Sequence, residues 1–183
     1  MSQWRNSFTR GGSVTKTLIG INVLVYILQF TSGNAITPLL ELNSATVLAM
    51  PWTIITSGFA HASILHIALN MYSLWIFGEA LERFIGSKRF LFLYLASIVA
   101  GSIAFVLFTP LSSAVGASGG IFGLMGAYYI ITRAMGYRSS QMLVLIVLNV
   151  AIGFYDQGIA ITAHLGGLAV GSAIAWYYTK ARK

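Results

Sequence analysis

Six apolar stretches fill most of the sequence, roughly Val14 to Thr31, Ile64 to Leu81, Phe90 to Phe108, Ala117 to Thr132, Gln141 to Phe154 and Ile159 to Tyr178. A bilayer core takes about 20 apolar residues per helix. Hydrocarbon offers no partner to an open backbone, so only helices and closed barrels cross it. These stretches are long and lack the alternation of barrel strands. They predict an all-α polytopic membrane protein of six transmembrane helices, the fourth and fifth short for full spans. With 57% hydrophobic and 8% charged residues, the chain is far from a soluble domain, where about a quarter are charged. No polar segment is long enough for a separate soluble domain, so residues 1–183 are read as one domain. The start, Met1 to Gly12, is polar and basic and has no obvious small-residue cleavage site after it, so the first span is expected to be retained. With no cysteine, disulfides and thiolate chemistry do not arise.

All eleven Lys and Arg residues then set an orientation, because such charges accumulate beside cytoplasmic ends. Arg5, Arg10 and Lys16 lie at the start of span one, Arg83, Lys88 and Arg89 between two and three, Arg133 and Arg138 between four and five, and Lys180, Arg182 and Lys183 after six. Six crossings put all of them on one face, with both termini cytoplasmic. The opposite face keeps only Glu41 and Asp156. Topology thus accounts for the net charge of +7 without a nucleic-acid partner. Between spans one and two, Gly33 to Ala60 is too long for an unstructured loop. Its Pro38, Pro51 and Trp52 amid aliphatic residues suit an outer segment lying in the membrane interface.

In this orientation spans two, four and six all enter from the outer face. Their N-terminal ends carry His61, His66 and Asn70, then Ser118, then His164. Every histidine and a glycine-flanked serine therefore share one depth range. One such residue alone reads as ordinary interhelical hydrogen bonding; five together point to a functional site. A serine hydroxyl is a weak nucleophile until a base takes its proton, and neutral imidazole suits that task near pH 7. Ser118 is the candidate nucleophile and His164 the candidate base. Gly119 and Gly123 on one span, with Gly167 and Gly171 below His164 on the other, allow the two helices to touch. Asn70, His66 and the Ser118 backbone N–H, at the positive end of its helix, are candidate donors to an oxyanion. Phe122, one turn below Ser118, is expected beneath the imidazole. Glu79 and Glu82 lie toward the other membrane face and Asp156 in an outer turn, so a Ser–His dyad is the economical proposal.

Taken in order, these residues resemble the rhomboid family of intramembrane serine proteases. The match runs through His61, His66 and Asn70; Gly78 x x x Glu82 Arg83 x x Gly86; Gly116 Ala117 Ser118 Gly119; and Ala163 His164 with Gly167 and Gly171. The resemblance implies a six-helix bundle around a water-filled cavity open to the outer face. It implies Ser118 and His164 as catalytic residues, with His66, Asn70 and the Ser118 amide as the oxyanion hole. It implies a supporting role for His61 and a gate at the fifth helix or the loop before the sixth. Single-span membrane proteins would be cut near their outer boundary after a small residue, in a prokaryotic plasma or inner membrane, without cofactor or metal. Two positions depart from the family pattern. Trp52 is followed by Thr53 where arginine is usual, and Phe122 stands where tyrosine is frequent, which keeps a ring and removes a hydroxyl.

Other classes fit less well. A transporter predicts repeated halves with broken helices in matching positions, and a non-proteolytic relative predicts loss of the serine or the histidine. A zinc protease needs His-Glu-x-x-His, whereas His61 and His66 are five apart with no Glu between them. An aspartyl protease needs two carboxylates sharing one site.

Overall fold

One buried carboxylate organises the end of the bundle away from the histidines. Helix α1 (Ser13–Thr31) begins with backbone N–H groups that no earlier turn can satisfy. Glu82 satisfies them from another helix: its carboxylate accepts from the Val14 N–H at 3.1 Å, the Thr15 N–H at 2.9 Å and the Thr15 hydroxyl at 2.8 Å. It also accepts from Ser87 Oγ at 2.6 Å. The computed structural model describes residues 13–137, 140–155 and 160–181. Arg5, Arg10, Arg138, Asp156, Ile159, Arg182 and Lys183, invoked above for orientation, for the missing third triad member and for the start of span six, lie outside the described residues.

The segment after α1 carries more order than an interfacial loop requires. It holds α2 (Thr37–Leu40), β1 (Leu42–Asn43), α3 (Thr53–Thr56) and a 3-10 turn over Ser57–Phe59. The Trp52 indole N–H donates to the Leu39 carbonyl at 2.9 Å, Thr56 Oγ1 to the Leu40 carbonyl at 3.0 Å, and the Gln29 amide to Thr37 Oγ1 at 2.9 Å. Thr53, where the family pattern has arginine, is buried and donates from Oγ1 to the Met50 carbonyl at 2.7 Å. The segment is thus closed by backbone acceptors and the indole rather than by a cation. Leu39, Leu48 and Trp52 are exposed.

Helix α4 (Ile64–Ile85) turns at Gly86, φ +82°, into α5 (Ser87–Phe108). Then β2 (Ser113–Ala114) pairs antiparallel with β1, Leu42 opposite Ala114 and Asn43 opposite Ser113. Helices α6 (Ser118–Ala134), α7 (Ser140–Tyr155) and α8 (Ile161–Lys180) complete the all-α architecture. α1, α4 and α5 are each long and apolar enough to cross a membrane.

The core lies around α6, whose buried face packs on α4, α5 and α8. Glycine makes this possible. A Cβ on Gly167 would strike the Gly119 carbonyl, one on Gly171 the Gly123 carbonyl, and one on Gly101 would lie 2.6 Å from the Ala163 carbonyl. Backbones at such range gain dispersion contact that side chains would otherwise hold apart. α8 is thereby seated directly between α5 and α6.

Candidate active site

Ser118 is the first residue of α6, and Ala117 before it already has helical backbone angles. The approach to the helix is bent at Gly116, whose φ of +131° is open to glycine and strained for any residue with a Cβ. The Gly116 N–H donates to the Ser57 carbonyl at 2.9 Å, tying this bend to the 3-10 turn. Because Ser118 heads its helix, its own N–H and those of Gly119 and Gly120 have no intrahelical acceptor and point away from the helix at its positive end.

His164 enters from α8. Its Nε2 lies 2.8 Å from Ser118 Oγ, although 46 residues separate the two in sequence. The imidazole is 8% exposed. It stacks on Phe122, with ring centroids 4.2 Å apart and planes 13° from parallel. Its other nitrogen, Nδ1, is buried with no hydrogen-bond partner among the described residues. The ring is therefore oriented by the aromatic face beneath it and by the seating of α8.

His66 lies in the first turn of α4, where Ser63 caps the helix by accepting the His66 N–H at 3.1 Å. The Ala62 N–H points to His66 Nδ1 at 3.4 Å. With Nδ1 accepting, the neutral ring carries its proton on Nε2. That edge faces the bend before Ser118: a Cβ on Gly116 would lie 2.8 Å from both Cε1 and Nε2 of His66 and 3.7 Å from Ser118 Oγ. Glycine at 116 leaves open the space where the serine and the His66 donor converge.

Asn70 is 7% exposed and directs one amide hydrogen to its own helix, at the His66 carbonyl, 2.9 Å away. Its second N–H has no acceptor among the described residues. His61 precedes α4 and is 2% exposed. It meets His66 edge to face, centroids 5.1 Å apart, and its backbone N–H donates to Gln29 Oε1 at 2.9 Å. Burial, reinforced by the neighbouring His66, lowers its pKa to about 4 against a weaker opposing influence of the Phe59 backbone. His61 is therefore neutral near pH 7 and packs against the edge of His66.

Two contributors escaped the sequence reading. Gln29 anchors the backbone at His61 and the outer segment at Thr37, and the signal for it was a polar side chain within an apolar span. Ser57 acts through its carbonyl, which no side-chain pattern reports. Beside Ser118 lies a cavity of about 30 Å³, lined by Gly58, Ile98, Gly101, Gly119 and Ala163 among others. That is room for a water or a very small side chain. Among the described residues no three His, Cys, Asp or Glu side chains gather to hold a metal.

The Rhomboid domain family matches residues 48–181. The chain is 36% identical to the rhomboid protease GluP of Bacillus subtilis over 168 residues, covering 86% of this chain and 33% of that protein. It is 38% identical to RHOMBOID-like protein 6, mitochondrial, of Arabidopsis thaliana, covering 68% of this chain and 43% of that one. It is 29% identical to Rhomboid-like protease 3 of Toxoplasma gondii, covering 98% of this chain and 76% of that one. The chain thus spans about a third of the length of GluP and under half that of the plant protein.

Proposed function

The chain belongs to the rhomboid family, and from that membership we propose that it is an intramembrane serine endopeptidase working through a Ser118–His164 dyad. The observation that carries the reading is the 2.8 Å approach of His164 Nε2 to Ser118 Oγ. Ser118 Oγ attacks the scissile carbonyl carbon as its proton passes to Nε2. The carbonyl oxygen becomes an oxyanion, stabilised by the Ser118 N–H, His66 Nε2–H and the free N–H of Asn70. Each such donor is worth about a hundred- to a thousandfold in rate. Collapse breaks the C–N bond, and the imidazolium returns its proton to the departing amine. Water then attacks the acyl-enzyme, gives its proton to His164 and frees Ser118.

Substrates are single-span membrane proteins cut near the boundary of their transmembrane segment. The glycine-lined cavity beside Ser118 supports a small residue at the cut. The charge partition supports cytoplasmic termini and a site open to the extracytoplasmic side of an inner or plasma membrane. α7, or the segment leading into α8, is the gate through which a substrate helix enters. Liposomes carrying wild type or Ser118→Ala with a single-span substrate test the whole reading. Wild type should release fragments mapping to one juxtamembrane bond after a small residue, and the variant should release none. Equal cleavage by both would end it.

A further inference from the structure

Among the described residues no carboxylate holds the base of the dyad, yet something must fix α8 relative to the turn that delivers Ser118. Thr109 follows α5, its N–H closing on the Phe105 carbonyl at 2.8 Å. It opens the segment that runs through β2 and Gly116 to Ser118. Thr162 lies in the first turn of α8, where Ala160 supplies no side-chain cap. The two hydroxyls meet at 2.8 Å.

We propose that the Thr109–Thr162 hydrogen bond is a positioning clasp for the dyad, joining the start of the Ser118 segment to the start of the His164 helix. Two residues along a helix turn the side chain by about 200°. Thr162 therefore points toward α5 while His164 points toward α6. From Ala163 onward the spacing of α8 and α5 is set by backbone contact, since a Cβ on Gly101 would lie 2.6 Å from the Ala163 carbonyl and one on Gly166 2.7 Å from that of Ala100. The clasp adds a side-chain tie one residue before that contact and so limits the splay of the turn that carries His164, to which a 2.8 Å proton-transfer distance is sensitive. Both threonines are half-buried.

The inference rests on the protease reading, so the controls separate the two. Thr109→Val and Thr162→Val keep shape and remove the hydroxyls; Thr109→Ser and Thr162→Ser keep the hydroxyls. Cleavage of a single-span substrate and the rate of labelling by a fluorophosphonate are measured for each, with wild type and Ser118→Ala alongside. Each valine variant should lose about fivefold in kcat and labelling rate at unchanged KM, equivalent to about 1 kcal/mol. The double variant should lose no more than either single, and both serine variants should return to wild type. Wild-type rates in the valine variants, additive losses in the double, or serine variants as slow as valine ones overturn the clasp. An inert wild type overturns the protease reading instead.

Discussion

The imidazole of His164 lies flat on the ring of Phe122, centroids 4.2 Å apart, in a site where Nδ1 has no partner among the described residues. A stacked pair contributes about 0.5–1.5 kcal/mol beyond its buried area. Expressed as misalignment of the base, the upper end is about tenfold in rate. Phe122→Leu should therefore lower kcat several-fold to tenfold, and Phe122→Tyr should stay near wild type. A leucine variant with an unchanged labelling rate would remove the ring from the account.

Gly167 has room for no side chain, since a Cβ there would strike the Gly119 carbonyl. Gly167→Ala must move α8 away from α6, and overpacking of this kind costs about 1–3 kcal/mol. Because Gly119 adjoins Ser118, the displacement falls on the dyad. Activity should be lost even where thermal unfolding in detergent shows the variant folded. Gly20, with nothing near its Cβ, is the control, and Gly20→Ala should be silent.

Glu82 is fully buried and serves two backbone N–H groups of α1 and the hydroxyls of Thr15 and Ser87. Removing the acceptor leaves buried donors unmet, at about 1–3 kcal/mol each. Glu82→Ala should lower stability by more than about 2 kcal/mol in an unfolding titration, and Glu82→Gln, which keeps one acceptor oxygen, by less. Equal stability of Glu82→Ala and wild type would mean that the α1 start is held by something else.

The parts of this arrangement that sequence exposed are those with a long-range physical signature. His61, His66, Asn70, Ser118 and His164 stood out as polar residues within or beside apolar stretches, and helical spacing put Phe122 below the serine. What it could not expose depends on atoms without a pattern. The β1–β2 pairing involves two residues on each side, too few for any alternation to register. The contacts of the Ser57 carbonyl and the Thr109–Thr162 pair come from loop paths that no periodicity encodes. Asn70 was expected to offer its amide to the site. One of its hydrogens is spent on the His66 carbonyl because the same i, i+4 spacing that puts Asn70 beneath His66 also puts it beneath that carbonyl.

His61 is a source of acid sensitivity. Its pKa is about 4 in the folded protein against an ordinary 6.5, lowered by burial first and by His66 second. Between pH 6.5 and 4 the unfolded chain binds a proton that the folded chain refuses, so stability is complete above pH 6.5, falls through this window and levels below it. The full span is on the order of 3 kcal/mol. His61→Phe should reduce the fall of the unfolding midpoint between pH 7 and 4.5. A variant with the wild-type acid slope would place the sensitivity elsewhere.

The dyad itself is tested most directly by mass spectrometry of the protein after exposure to a fluorophosphonate. The 2.8 Å Ser118–His164 contact predicts one adduct, on Ser118, formed by wild type and absent from both Ser118→Ala and His164→Ala. An adduct on another residue, or labelling of Ser118 that survives His164→Ala at the wild-type rate, would contradict it.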